Sequence, residues 1–340
     1  MARRMSCVVV AFAICAVAQA HVDSLVTTPQ AQEPAPIVLP AETKPADFVY
    51  VAATQPDQIG RVMAPVYVNG VGPFAFVVDT GASSSVIAPR VARRLELPID
   101  TENTKLLRGI TGSERVPTVS VQEITAGGIS LANSNLPVVE PRVFADADGI
   151  FGADAFARGC LVVNFVRSRL AINDRNCPRV GEEWERVRAR LQFGGLVVVE
   201  ARIGKITAAA IIDTGAERSL GNPALLEALV LNRKIKATRE RTQVFAATSQ
   251  AVFGELVKTP SVRVGGLQIG SLHAVFGDFE VFKIWDVQHH PAIVLGIDVL
   301  GSTDAVMIDY RKSELHVLPR GASEGVTMRR RGIPSRIPRN

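Results

Sequence analysis

The sequence predicts an all-β protein of two homologous β-barrel lobes, related by a pseudo-two-fold axis, with few short helices. Most apolar segments are short, rich in β-branched residues and separated by Gly, Pro and Asn. This pattern is typical of antiparallel strands. The second half of the chain also repeats the order of features in the first half. A chain of 340 residues is long enough for about two domains, so each repeat can form one lobe.

The repeat is defined by a constant separation between matching residues. The pairs that lie 134 positions apart are Gly70 and Gly204, Asp79 and Asp213, Ser85 and Ser219, and Pro89 and Pro223. Each Pro opens a short stretch that suits a helix with Pro in its first turn. Solenoid repeats have periods of about 20–50 residues, so this longer period indicates a duplicated domain.

The N-terminus has the pattern of an export signal. Arg3 and Arg4 precede an apolar run from Cys7 to Ala18, and Ala18-Gln19-Ala20 supplies small residues for cleavage. We expect residues 1–20 to be a signal peptide cleaved after Ala20, and a periplasmic or secreted protein. A permanent anchor is the alternative, although a span needs about 20 apolar residues.

The remaining chain divides by composition. We expect a Pro-rich disordered linker at 21–58, an N-terminal lobe at 59–178, an inter-lobe linker at 179–194, a C-terminal lobe at 195–319 and a basic disordered tail at 320–340. The charged segment from Gly181 to Leu191 suits a short helix.

Each lobe carries one Asp-Thr-Gly-Ala segment after an apolar run. Asp79 follows Phe76-Val77-Val78, and Asp213 follows Ala210-Ile211-Ile212. The apolar run predicts a buried strand that delivers the Asp to its end, and Gly permits a tight turn there. Because the two motifs occupy the same position in the repeat, we expect one carboxylate from each lobe at the pseudo-two-fold axis.

Two adjacent carboxylates have a defined chemistry. Because like charges in contact cannot both ionise, the pair shares a proton. One carboxylate then acts as general base on water, while the other donates a proton to a carbonyl oxygen. This pair predicts amide hydrolysis without a metal, a cofactor or a covalent intermediate.

These segments resemble the retropepsin-like branch of the aspartic peptidases. The resemblance covers both lobes and includes the later segments Ile150 to Asp154 and Val294 to Asp298, which in the family support the active-site loops. It implies catalytic roles for Asp79 and Asp213. It also implies that Thr80 and Thr214 brace the dyad between lobes and that Gly81 and Gly215 shape the loops.

Two features differ from these relatives, one from retropepsins and one from pepsin-like enzymes. Retropepsins usually assemble two chains, whereas both lobes lie in one chain here, so we expect a monomer. Ala82 and Ala216 stand where pepsin-like enzymes have a hydroxyl residue beside the Asp. Losing that hydrogen bond raises the lower apparent pKa of the dyad, so we expect a less acidic optimum than that of pepsin.

A β-hairpin flap is expected over the cleft. In lobe one it falls at Arg108 to Ser113, with Ile110, Thr111 and Gly112 at its tip, and in lobe two near Phe245 to Thr248. The alternative for both is a plain surface hairpin. The first segment lacks the Tyr of pepsin-like flaps, so substrate preference cannot be transferred.

Two cysteines remain after export, Cys160 and Cys177. Leu161 to Val166 and Arg169 to Ile172 read as a hairpin that they flank on opposite strands, close enough to bridge. An exported chain meets oxidising conditions, which favours a disulfide. Two buried free thiols are the alternative.

The sequence also argues against several other classes of function. The basic charge lies in the termini, so no basic face for nucleic acid is implied. Phosphate-binding and serine-hydrolase motifs are absent, and the adjacent His289-His290 makes a poor metal pair. We therefore expect an exported endopeptidase that binds an extended peptide. A catalytically silent peptide-binding module and a processing protease of narrow specificity are the alternatives.

Overall fold

The computed structural model describes residues 50–53, 61–140, 147–156, 159–174, 177–232, 235, 240–245 and 251–321. Within these residues the regular structure is mostly β-strand, with five short helices. The sequence prediction of an all-β, two-lobed fold is therefore confirmed.

The elements follow the duplication. The chain begins with β1 (Tyr50–Ala53), and lobe one then contains β2 (Met63–Val68), β3 (Val71–Val78), β4 (Val86–Ile87), α1 (Pro89–Arg94), β5 (Ile99–Gly109), β6 (Gly112–Ala126), β7 (Ile129–Pro137), β8 (Gly149–Phe151), α2 (Ala153–Phe156), β9 (Cys160–Asn164) and β10 (Arg169–Asn173). The second half contains β11 (Glu185–Arg188), β12 (Arg190–Gln192), β13 (Leu196–Ile203), β14 (Ile206–Ile212), β15 (Leu220–Gly221), α3 (Pro223–Leu231), β16 (Glu240–Phe245), β17 (Ala251–Val264), β18 (Leu267–Phe276), α4 (Glu280–Ile284), β19 (Ala292–Leu295), α5 (Ile297–Leu300), β20 (Ala305–Asp309) and β21 (Glu314–Leu318).

The two lobe sheets share one arrangement around their motif strands. In lobe one, β8 lies between β3 and β4, and it runs parallel to β3. In lobe two, β19 lies between β14 and β15 and runs parallel to β14. A hairpin follows in each lobe, β5–β6 and β16–β17. The duplication read from the sequence is thus repeated strand by strand.

A third sheet joins the lobes. Its order is β1-β10-β9-β20-β21-β11. The β9–β10 hairpin of lobe one and the β20–β21 hairpin of lobe two form the centre, and β1 and β11 form the two edges. The central pair, β9 and β20, is antiparallel, with Val162 opposite Met307. This pairing places the pseudo-two-fold axis at the centre of the sheet, where strands from both lobes are hydrogen-bonded.

Both helices expected after a proline are present. Pro89 opens α1, and Pro223 opens α3. In α3 the side chain of Asn222 accepts a hydrogen bond from the Leu225 N–H at 2.9 Å, a standard N-cap. The shorter α1 has no side-chain cap and ends after Arg93 and Arg94, whose positive charges suit a helix C-terminus.

Two expectations about the linkers are wrong. Residues 50–53, assigned to the unfolded Pro-rich segment, form β1 and pair with β10. The segment from Gly181 to Leu191 forms no helix, because Glu185–Arg188 pairs with β21 and Arg190–Gln192 pairs with β13. In each case the segment pairs with the outer strand of a sheet. The composition of the segment alone does not reveal this partner.

A disulfide joins Cys160 and Cys177, whose Cα atoms are 5.1 Å apart. Cys160 opens β9, and the β9–β10 hairpin read from the sequence lies between the two cysteines. Among the described residues, no helix is long and apolar enough to cross a membrane.

Candidate active site

Each Asp-Thr-Gly loop begins after three consecutive buried residues at the end of a strand. Val78 and Ile212 are the last residues of β3 and β14, and both are inaccessible to solvent. The Asp79 N–H donates to the Phe151 carbonyl at 3.0 Å, and the Asp213 N–H donates to the Leu295 carbonyl at 3.0 Å. The parallel strand beside each motif strand therefore fixes the position of the aspartate backbone.

The turn that follows holds each carboxylate by backbone donors. In lobe one, Gly81 and Ala82 donate N–H bonds to Oδ1 of Asp79 at 2.8 and 2.9 Å. In lobe two, the equivalent bonds reach Oδ1 of Asp213 at 2.8 and 3.0 Å. The residue after Gly thus contributes its backbone N–H to the carboxylate.

Thr80 and Thr214 connect the two loops. Each Thr N–H donates to the other Thr Oγ1 at 3.1 Å. Each hydroxyl also donates across the lobes, Thr80 to the Ile212 carbonyl at 2.8 Å and Thr214 to the Val78 carbonyl at 2.7 Å. Both side chains are fully buried. These four bonds lock the loops into one unit.

The two carboxylates meet at this junction. The Asp79 and Asp213 carboxyl groups lie close enough to interact directly. A Cβ added to Gly81 would overlap the carboxylate of Asp213, and one added to Gly215 would overlap that of Asp79. Both Gly positions must therefore lack a side chain for the carboxylates to approach.

Burial dominates the electrostatics of the pair. Asp79 is 4% exposed and Asp213 is 5% exposed. Burial raises the pKa of Asp79, although hydrogen bonds from Asp213, Gly81 and Ala82 and the charge of Arg61 oppose it. Burial and then the charge of Asp79 raise the pKa of Asp213 well above its ordinary value. Burial and the proximity of the two carboxyl groups therefore both oppose ionisation of the second one.

A second layer supports each loop in the same way. In lobe one, Asp154 accepts bonds from the Ser85 hydroxyl and N–H at 2.8 and 2.9 Å, and the Ser85 Oγ accepts the Gly152 N–H at 3.0 Å. In lobe two, Ser219 makes the matching bonds with Asp298 and Gly296. The apolar-apolar-Gly-x-Asp segments thus contact the loops directly.

The β5–β6 hairpin lines the same cleft as the two aspartates. Its turn consists of Ile110 and Thr111, and Gly109 pairs with Gly112. The Ile110 carbonyl accepts a hydrogen bond from the Glu280 N–H of α4 at 3.0 Å. Ile110 is buried, so the tip rests against lobe two. The matching segment in lobe two begins with Phe245 at the end of β16, and Ala246 to Thr248 lie outside the described residues.

A cleft of about 580 Å³ lies between the hairpin and the two aspartates. Its lobe-two wall is apolar and includes Phe193, Val281, Ile284 and Trp285. The Phe193 and Trp285 rings are stacked with centroids 5.4 Å apart. Sequence reasoning missed this wall, because its members come from two distant segments without a common motif.

Two more residues near the dyad also escaped the sequence reading. Arg61 and Tyr310 are fully buried, and both interact electrostatically with Asp79. The one signal in the sequence was a difference between the two copies of the repeat. Neither Arg61 nor Tyr310 has a residue of the same type at the matching position of the other lobe. Among the described residues, no group of three or more His, Cys, Asp or Glu side chains could hold a metal ion.

Duplicated β lobes that bring one Asp-Thr-Gly loop each to a common junction define the two-lobed class of aspartic peptidase folds. A family model described as aspartyl protease matches the chain twice, over residues 64–155 and 199–299. The two matches cover more than half of the chain, and the protein therefore belongs to the aspartyl protease family. No curated protein matches the chain significantly.

Proposed function

We propose that this protein is an exported aspartic endopeptidase that hydrolyses peptide bonds with a dyad of Asp79 and Asp213. The observation that carries the proposal is the buried pair of adjacent carboxylates, one from each lobe. Membership of the aspartyl protease family supports a peptidase in general.

The dyad supplies both proton transfers that hydrolysis requires. The ionised carboxylate takes a proton from water as its oxygen attacks the scissile carbonyl carbon. The protonated carboxyl gives its proton to the carbonyl oxygen, which leaves a neutral diol. When the C–N bond breaks, the amine nitrogen receives the proton taken from water, and the diol returns one proton to the dyad.

An extended peptide is the substrate that fits the cleft. Residues 105–109 of β5 line the cleft, and a strand beside a cleft favours recognition by strand addition. The stacked Phe193 and Trp285 rings offer an apolar surface beside the dyad.

The pH dependence follows from burial of the dyad. Because burial raises the pKa of both aspartates, the form with one proton persists to higher pH than for exposed carboxylates. Ala82 and Ala216 also offer no hydroxyl to the carboxylates, so we expect the rate to peak at a less acidic pH than is usual for pepsin. A maximum near pH 2 would contradict this expectation.

We also propose that the protein is exported and acts as a monomer. The charged and apolar pattern of residues 1–20 supports a signal peptide, and the Cys160–Cys177 disulfide is consistent with an oxidising compartment. Because one chain supplies both aspartates, a second chain is not needed to form the site.

One observation favours a catalytically silent peptide-binding module as the second candidate. The hydrogen bond from Glu280 to Ile110 holds the hairpin tip against lobe two, over the cleft. A hairpin that never opens would exclude a substrate from the dyad.

Cleavage of a diverse peptide mixture by residues 21–340 distinguishes these candidates. Wild type, Asp79→Asn and Asp213→Asn are incubated at several pH values, and products are identified by mass spectrometry. We expect cleavage by wild type and a loss of several orders of magnitude in both variants. Wild type that binds peptides without cutting them would favour the binding module. Cleavage confined to the Pro-rich segment of the chain would favour a narrow processing enzyme.

A further inference from the structure

Strand β5 borders the cleft along its edge. Its residues 105–109 line the cleft without a break, and Ile110 continues the series. Side chains on a strand alternate between its two faces, so a cleft beside one face would meet only every second residue. Contact with consecutive residues therefore indicates that the cleft runs along the edge of the strand.

This edge of β5 has backbone groups without a partner. β5 is the last strand of its sheet and pairs with β6 on one side only. Among the described residues, the backbone of 105–109 forms no hydrogen bond outside the sheet. The next carbonyl, that of Ile110, accepts the Glu280 N–H of α4 at 3.0 Å. An unpaired edge of this kind can add a further strand.

The side chains along this edge have a symmetrical pattern of charge. Lys105 and Arg108 are cations at the two ends, and Leu106 and Leu107 lie between them. Both cations are exposed, and Leu106 is 47% exposed. Because the pattern is the same in both directions, its complement does not depend on the direction in which an added strand runs.

The two cations form no ion pair within the described part of the chain. Arg108 also has no hydrogen bond there, and Lys105 donates only to the Asn135 carbonyl. Apart from the dyad, no carboxylate among the described residues lines the cleft. The nearby acid Glu114 lies on β6, opposite Leu107. The edge of β5 therefore attracts negative charge.

A strand added to this edge would place one residue opposite each residue of β5. Opposite charges in such cross-strand positions attract, whereas like charges destabilise the pairing. Apolar side chains opposite Leu106 and Leu107 would bury apolar surface. The complementary strand therefore reads acidic, apolar, apolar, acidic.

We propose that β5 selects extended peptides in which two acidic residues flank two apolar residues. This inference rests on the proposed function, because it names the class of peptide that the same site binds and cuts. Lys105 and Arg108 are the specificity-determining residues, since they contact the acidic side chains. A strand paired with β5 has one register, so the motif lies at a fixed distance from the cut.

Binding of synthetic peptides to Asp79→Asn tests the proposal without cleavage. The peptides differ only in a central Glu-Leu-Leu-Glu, Gln-Leu-Leu-Gln or Lys-Leu-Leu-Lys segment, and fluorescence anisotropy gives each Kd. We expect the Glu peptide to bind about two- to five-fold more tightly than the Gln peptide for each charge pair, and the Lys peptide to bind most weakly. In about 1 M salt, where the Debye length is about 3 Å, these differences should largely disappear.

A peptide with Glu-Leu-Glu-Leu at its centre separates pairing in register from general electrostatic attraction. It has the same composition and charge as the Glu-Leu-Leu-Glu peptide, but its acidic residues cannot both lie opposite cations three positions apart. We expect it to bind more weakly. Equal affinity for these two peptides would overturn the proposal, as would equal affinity for the Glu-Leu-Leu-Glu and Gln-Leu-Leu-Gln peptides.

Charge reversal in the protein tests the assigned residues. Adding Lys105→Glu and Arg108→Glu to Asp79→Asn should reverse the order, so that the Lys-Leu-Leu-Lys peptide binds most tightly. Arg115→Glu makes the same change on β6, at a residue that does not line the cleft, and is the matched control with no expected change of order. An unchanged order in the folded charge-reversal variant would overturn the proposal. If that variant does not fold, the peptide comparison decides.

Cleavage by wild type separates this inference from the proposed function. Wild type that binds the Glu-Leu-Leu-Glu peptide selectively but cuts no peptide would support the selectivity and count against the proposed function. Wild type that cuts a diverse mixture without enrichment of acidic residues at a fixed distance from the cut would count against the role of β5 alone.

Discussion

Thr80 and Thr214 have buried hydroxyl groups that form hydrogen bonds between the lobes. Each hydroxyl is fully buried, donates to a carbonyl of the other lobe and accepts an N–H from the other threonine. Replacing the hydroxyl by a methyl group keeps the shape of the side chain but leaves buried partners unsatisfied. An unsatisfied buried polar group costs about 1–3 kcal/mol.

The first prediction concerns Thr80→Val. The Ile212 carbonyl and the Thr214 N–H would both lose their partner, so we expect the free energy of unfolding to fall by about 2–4 kcal/mol. Urea unfolding measures it. Thr80→Ser keeps the hydroxyl and is the control, and equal stability of the Val and Ser variants would show that the inter-lobe bonds contribute nothing.

The second prediction concerns Asp213→Asn. The folded pKa of Asp213 lies well above its ordinary value of 3.8, so folding favours the protonated form, and this contribution is lost as pH rises through the folded pKa. Asn keeps an oxygen that accepts the Gly215 and Ala216 N–H bonds but cannot ionise. We expect the variant to be more stable than wild type at neutral pH, with the difference vanishing below about pH 4, as measured by thermal melting against pH.

Asp100 provides a control of opposite sign. Hydrogen bonds from the Asn103 backbone and side chain lower the pKa of this exposed carboxyl, so its contribution is present at neutral pH and lost on acidification. Asp100→Asn should therefore not stabilise the protein at neutral pH. A fall in neutral-pH stability for Asp213→Asn would contradict the electrostatic account of the dyad.

At the scale of the elements, the Asp-Thr-Gly loops depend on a close approach between lobes. The Gly81 position contacts the Asp213 carboxylate, so Gly81→Ala must push the loops apart. We expect the variant to lose at least about 100-fold in kcat/KM, because small displacements of catalytic groups carry that cost. Gly270→Ala is the control, since a Cβ there would contact nothing. Equal activity of the two variants would contradict the described loop contact.

The elements were predictable from the sequence to different degrees. The motif strands and the helices after Pro89 and Pro223 were predicted correctly, because apolar runs and Pro act locally. The segment Glu185–Arg188 reads as a charged linker, yet it is a strand in which only Val187 is buried. Its hydrogen bonds come from β21, a distant partner that local composition cannot reveal.

At the scale of the whole molecule, the shared sheet makes the two lobes one structural unit. The β9–β20 pair and the threonine bonds both cross between lobes. We expect calorimetric unfolding of residues 21–340 to show one transition with agreement between the calorimetric and van't Hoff enthalpies. Two separate transitions would show that the lobes unfold independently.

The site shows where prediction from the sequence ends. The proximity of Asp79 and Asp213 could be predicted because each aspartate lies in a local motif and the duplication pairs the motifs. Arg61, Tyr310, Phe193 and Trp285 could not, because each reaches the site through tertiary packing from a segment without a motif.

The central claim is that one site needs an aspartate from each lobe. Its most direct test compares kcat/KM for peptide cleavage by wild type, Asp79→Asn, Asp213→Asn and the double variant. Groups that act as a unit are strongly non-additive, so we predict that each single variant loses nearly all activity and that the double variant is no worse. Single variants that retain substantial activity, with losses that multiply in the double variant, would contradict the claim.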